Sequence, residues 1–206
     1  MDLLRNIGVI DHTLQLTSFG GTGTTMLYEF LEEHDLDIPS DHPNWRPWKH
    51  LPVPPEDSEV KDGFRAVYVF GNPMDAVLSV FRRDYQRWHV WNMREDISEP
   101  TSEDWGLDEF LESTEDPFRM GKHFREWTRA DRSYPILYLH FDALWEHLPE
   151  FFAFAGLPSR QIDNFPERRE RASDWTEESE YVRERLRDFY GDLWTEIQET
   201  SDFHIR

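Results

Sequence analysis

Apolar and polar positions along this chain follow two alternating periods. Thr13-Leu14-Gln15-Leu16-Thr17 repeats every second residue, as a half-buried strand does, and predicts a first strand over roughly residues 13–19. Met26-Leu27-Tyr28-Glu29-Phe30-Leu31 then recurs at helical spacing, so a helix is predicted from Gly23 to about His34. Residues 35–47, rich in Pro, Asp and Asn, read as loop, and Trp45–Leu51 as a short strand closed by Pro52. The run Phe64–Phe70 predicts a strand, and Met74–Trp88 a helix with Pro73 near its first turn. After an acidic loop at 98–106, helices are predicted over 107–112 and 117–129, and a strand over Ile136–His140. A helix over 144–154 ends at Gly156 and Pro158, and a long amphipathic helix spans 177–199. Strands alternating with helices imply a three-layer α/β fold, a central parallel sheet with helices on both faces. The reading is one domain, 1–206, in which 159–206 is a C-terminal helical extension.

Composition narrows the function classes. The 206 residues carry 22 basic and 42 acidic side chains, a formal charge of −20, and no Cys. Such a field repels nucleic acid. The absence of Cys removes disulfides, thiolate metal sites and cysteine nucleophiles. Only Lys49, Lys61 and Lys122 are lysines, and acid-rich, lysine-poor composition points to a salt-rich cytoplasm. No apolar run approaches membrane-spanning length and the N-terminus lacks a signal-peptide core, so a cytoplasmic protein without a membrane partner is expected. No His/Asp cluster has metal-ligand spacing, so no metal is expected.

One stretch states a chemistry. Ser18-Phe19-Gly20-Gly21-Thr22-Gly23-Thr24-Thr25 joins the first strand to the first helix. Glycines let backbone N–H groups converge, and the helix N-terminus adds positive partial charge, which together make a phosphate cradle. Hydroxyls of Thr24 and Thr25 can add hydrogen bonds. The bland reading is a loop that turns a corner. In a parallel sheet, ligands bind at the carboxyl ends of strands. The glycine loop, Gly71-Asn72-Pro73 and His50 all fall there.

Taken together, these segments resemble the sulfotransferases that use 3′-phosphoadenosine 5′-phosphosulfate (PAPS). Gly20-Gly21-Thr22-Gly23-Thr24-Thr25-Met26 matches the loop Pro-Lys-Ser-Gly-Thr-Thr-Trp that holds the 5′-phosphosulfate. Trp48-Lys49-His50-Leu51-Pro52 is similar to Lys-Thr-His-Leu-Pro, whose His is the base. Gly71-Asn72-Pro73-Met74-Asp75 with Ser79 matches Arg-Asn-Pro-x-Asp and its following Ser, the 3′-phosphate contacts. Ile136–Asp142 and Phe151–Pro158 match a late strand and helix. The resemblance covers about Leu14 to Pro158, with spacing short for the family.

It implies a P-loop-like sulfotransferase fold and in-line transfer of a sulfuryl group from PAPS to a hydroxyl or amine of a small-molecule or carbohydrate acceptor. A homodimer is compatible with it. Expected catalytic residues are His50 and Lys49. Expected cofactor contacts are Gly21, Thr22, Gly23, Thr24, Thr25, Met26, Ser79, Arg83 and the basic run Arg168, Arg169 and Arg171, with Arg82 in reserve. The departures are electrostatic: the family's loop Lys is Gly21, and its 3′-phosphate Arg is Gly71. Lys49 stands one residue from the family's Lys.

Each candidate has a plainer reading. His50 is one of nine His, the Arg run can be a solvated face, and Ser79 can be a small packing residue. Tyr85, Trp88 and Trp91 can line an acceptor pocket or simply pack. Two rival functions stay open. One is a sulfotransferase-fold nucleotide-binding protein that has lost catalysis. The other is a small-molecule kinase, disfavoured because the Walker pattern needs Lys where Thr24 stands.

Overall fold

The computed structural model describes residues 10–34, 36–39, 48–94 and 105–206. Most of the expected loop at 35–47 and of the acidic loop at 98–106 lies outside them. Four strands, β1 (Leu14–Ser18), β2 (Arg65–Phe70), β3 (Ile136–His140) and β4 (Phe203–Ile205), form one sheet in the order β1-β2-β3-β4. β1, β2 and β3 run parallel, with Leu16 opposite Val67 and Tyr68 opposite Tyr138. β4 pairs antiparallel with β3. The sheet is therefore mostly, not wholly, parallel, and the segment 159–206 is a correction: it supplies a strand as well as helix.

Helices cover both faces: α1 (Thr24–Glu32), α2 (Pro73–Arg82), α3 (Gln86–Met93), α4 (Leu107–Glu112), α5 (Met120–Arg129), α6 (Leu148–Ala155) and α7 (Glu180–Gln198). A strand buried on both faces is apolar along its buried length, and β2 is so from Ala66 to Phe70, after a half-buried Arg65. Ala66, Tyr68 and Phe70 enter one core with Phe124, Trp127 and Tyr190. Val67 and Val69 enter the other with Leu27, Leu31 and Phe152. No helix of the described residues is long and apolar enough to cross a membrane.

β1 departs from that pattern in a way that builds the site. One face is Leu14 and Leu16; the other is the buried polar pair Gln15 and Thr17. Thr17 Oγ1 accepts from Leu51 N at 3.0 Å, and Ser18 O accepts from His50 Nδ1 at 3.0 Å. The chain at 48–50 is thus held on β1 partly through side chains, as a 3-10 turn, and not as the expected strand. Trp127 fixes it from the far side. Its indole donates to Leu51 O at 2.8 Å and stacks parallel on Tyr68, with centroids 5.4 Å apart.

The single helix expected over 74–88 is two. α2 ends at Arg82, Asp84 takes a left-handed φ of 52°, and α3 starts afresh. Likewise the helix expected over 144–154 is a 3-10 turn at Phe141–Glu146 followed by α6, which ends at Gly156 as expected.

Candidate functional site

The glycine loop is packed tightly on both sides. Gly20 and Gly21 sit at φ 91° and 66°, where side chains are strained. A Cβ at Gly20 would run into the His89 ring, and one at Gly21 would stand 2.5 Å from the Ala76 Cα. In this conformation position 21 has no room for a lysine side chain. Gly23 leads into α1, which opens with neither a side-chain cap nor an acidic first turn. Its first N–H groups lack the carboxylate or hydroxyl that usually satisfies them.

In front of the loop lies a cleft of about 460 Å³. Gly21, Gly23 and Met26 form its floor; Asp75, Ser79 and Arg82 of α2, with Arg83 just past its end, form one wall; Phe141 and Trp145 form another. The chain at 166–173 crosses it as a strap carrying Arg169 and Arg171. Among the described residues, 167–173 makes no backbone–backbone hydrogen bond. Side chains hold its ends: Trp145 Nε1 donates to Pro166 O at 2.9 Å, Arg82 Nε to Ser173 Oγ at 3.1 Å, and Trp175 N to Asp75 Oδ1 at 2.8 Å. Burial raises the Asp75 pKa, with the Trp175 N–H acting in the other direction.

Arg171 is the centre of this arrangement. A Cβ at Gly71 would lie 3.1 Å from Arg171 Nη2 and 3.5 Å from Thr22 Cγ2. A cation from the strap thus occupies the space beside Gly71. The guanidinium packs on Phe141, 5.5 Å from the ring centre, and its Nε is 3.6 Å from Asp142 Oδ1, an ion pair too long for a hydrogen bond. Arg171 Nε and Nη2, and Thr22 Oγ1, are buried with no hydrogen-bond partner. Buried donors without acceptors are costly, so their meeting beside a glycine loop marks a place where an acceptor belongs.

Of the residues expected from the sequence, the cleft gathers Gly21, Gly23, Met26, Ser79, Arg82, Arg83, Arg169 and Arg171. Others stand off it. Thr22 is buried beside Gly71, Thr24 is buried with its hydroxyl 3.3 Å from Ser18 Oγ, and Thr25 is exposed. Arg168 is exposed, pairs with Asp142 at 3.2 Å and lies over Trp145. Lys49 and His50 are not among the residues lining the cleft.

His50 belongs instead to a buried histidine group on the Gly20 side of the loop. Its ring is 5.0 Å from that of His89, whose Nε2 bonds to Phe19 O at 2.9 Å. His123 Nδ1 meets the Tyr68 hydroxyl at 3.1 Å, and its Nε2 is buried without a hydrogen-bond partner. Burial, then neighbouring His89, pushes the His50 pKa well below the histidine range. Burial lowers His89 to about 4 and His123 to about 3.

Sequence reasoning missed Phe141 and Asp142, which seat Arg171, and Asp75, which fastens the strap. A carboxylate three residues into the Asn72-capped start of α2 was the available signal. No group of three or more His, Cys, Asp or Glu able to hold a metal occurs among the described residues. Comparison with protein-family models, curated proteins and solved structures finds no match to this chain.

Proposed function

We propose that the cleft binds PAPS through a P-loop-like use of the glycine loop, and that the protein transfers its sulfuryl group to a hydroxyl or amine. The observation that carries this reading is half-buried Arg171 beside Gly71, whose Nε and Nη2 are cut off from solvent and lack hydrogen-bond partners. PAPS, when bound, supplies an activated sulfuryl group and a bisphosphate leaving group. Backbone amides from Thr22 to Thr25 and the uncapped start of α1 would hold its 5′-phosphate. Arg171, Ser79 and Arg83 would hold the 3′-phosphate, the guanidinium fork suiting phosphate oxygens.

His50 supports the transfer step. The Ser18 carbonyl accepts its Nδ1–H, which leaves the lone pair on Nε2, and the lowered pKa keeps the ring neutral. In that role Nε2 would take the proton of the acceptor hydroxyl or amine as that group bonds to sulfur and the bisphosphate leaves with the electron pair of the broken bond.

A second reading, binding without transfer, is favoured by one observation: neither Lys49 nor His50 lines the cleft. Calorimetry with 3′,5′-bisphosphoadenosine, PAPS and ATP, with and without Mg²⁺, separates the readings. Arg171→Ala should weaken the bisphosphate by about 1.5–3 kcal/mol, the worth of hydrogen bonds to charged groups. Unchanged affinity rejects the assignment of Arg171. PAPS binding with no sulfated product selects the second reading, and binding of ATP alone, only with Mg²⁺, selects a kinase.

A further inference from the structure

Two arginines of the strap compete for one carboxylate oxygen. Asp142 Oδ1 stands 3.2 Å from Arg168 Nη2 and 3.6 Å from Arg171 Nε, and only Arg168 donates a hydrogen bond to it. The two cations sit differently. The Arg168 side chain is 54% exposed, lies 5.9 Å from the centre of the Trp145 ring, and is not among the residues lining the cleft. The Arg171 side chain is 23% exposed and lines the cleft, with Nε and Nη2 cut off from solvent and without a partner.

By energy alone the oxygen is on the wrong arginine. An exposed ion pair is worth little, whereas unpaired donors shut away from water are costly. Asp142 would gain more by closing on Arg171 Nε than by staying with Arg168. What holds it is the fixed position of the surface arginine. Arg168 rests on the Trp145 ring, and the indole of Trp145 also grips Pro166 O two residues before it, at 2.9 Å. The start of the Asp142 turn is fixed as well, because Asp142 N donates to His140 Nδ1 at 3.3 Å.

We propose that Arg168 is a positioning residue that takes Asp142 Oδ1 and so keeps Arg171 Nε open to a phosphate, an inference that rests on reading the cleft as a bisphosphate site. The two arginines then have separate tasks. Arg171 touches the ligand, and Arg168 acts only through Asp142. Without Arg168, the carboxylate closes on Arg171, satisfies Nε and sets a negative charge where the phosphate would dock. Asp142 becomes an internal competitor for the cation that the ligand needs.

The test is a double-mutant cycle on calorimetric binding of 3′,5′-bisphosphoadenosine at fixed salt, together with a ligand-free crystal structure of the Arg168→Ala protein. Arg168→Ala should weaken binding by about fivefold or more, and Asp142→Ala should bind at least as tightly as wild type. In the Asp142→Ala background, Arg168→Ala should cost less than about twofold. An equal loss in both backgrounds would mean that Arg168 meets the ligand directly or acts by its charge alone, and would overturn the proposal. Weaker binding by Asp142→Ala would also overturn it, because Asp142 would then be an aid to Arg171 and not its competitor. In the Arg168→Ala crystal, Asp142 Oδ1 should lie within about 3.0 Å of Arg171 Nε. A separation still at 3.6 Å would refute the proposal with no ligand involved. If that contact closes but wild-type protein does not bind the bisphosphate, the role of Arg168 stands and the reading of the cleft falls.

Discussion

The two sides of the glycine loop are made of similar materials and put to opposite uses. On the Gly20 side, three imidazoles are sealed in the core, and Nδ1 of His50, Nε2 of His89 and Nδ1 of His123 each have a partner in a backbone carbonyl or a hydroxyl. On the Gly21 side, Thr22 is buried and Arg171 is half-buried, and Thr22 Oγ1 and the Arg171 Nε and Nη2 atoms are cut off from solvent without partners. Packing explains most of the first arrangement, although His123 Nε2 is also buried without a partner. It does not explain the second, since folding has no reason to desolvate a guanidinium and leave two of its nitrogens without acceptors. A buried polar group becomes informative where its partners are missing.

Trp127→Ala tests the packed side hardest. It removes the indole that stacks on Tyr68 and holds Leu51, and should cost about 3–5 kcal/mol in denaturant unfolding. A loss below 1 kcal/mol would mean that the 48–51 turn is held by β1 alone. Acid probes the same side. In the unfolded chain histidines take up protons as pH falls through about 6.5, whereas His89 in the fold resists until about 4. The unfolded state binds more protons across that window, so stability falls with pH. His89 alone accounts for about 2 kcal/mol between pH 7 and 5. His89→Gln keeps a donor for Phe19 O and should flatten the acid limb of the melting curve by that amount. Identical limbs would show that His89 does not stay neutral. The smallest effect belongs to the open side. Thr22→Val removes an unpaired buried hydroxyl and should raise stability by about 1 kcal/mol while weakening bisphosphate binding. A loss of stability would mean that Oγ1 already has a partner.

The legible parts of the sequence were those decided by neighbours in the chain. β3 was readable to the residue, and β2 to within one, because a strand buried on both faces is a continuous apolar run bounded by turn residues. The glycine loop was readable because its conformation is written in its own residues. What failed depended on distant partners. β4 is three residues whose strand character comes from pairing with β3. Trp48–His50 looked like a strand until Thr17 and Ser18 supplied the bonds that hold it as a turn. Asp84 breaks a helix from a left-handed conformation that no glycine announced. The candidate site divides the same way. Arg168, Arg169 and Arg171 stood as one basic run, and only the fold distinguishes Arg171, beside Gly71, from Arg168, committed to Asp142 at the surface.

The strap also bears on how tightly a ligand could be held. Ordering a residue costs on the order of 1–2 kcal/mol of backbone entropy, so a cation recruited from a loose tail would surrender much of its attraction on arrival. Here Trp145 grips one end of the strap and Asp75 the other before any ligand is present. The guanidinium, resting on the Phe141 ring, is preorganised. An arginine borrowed from a hundred residues away can then act with the rigidity of one fixed in the sheet.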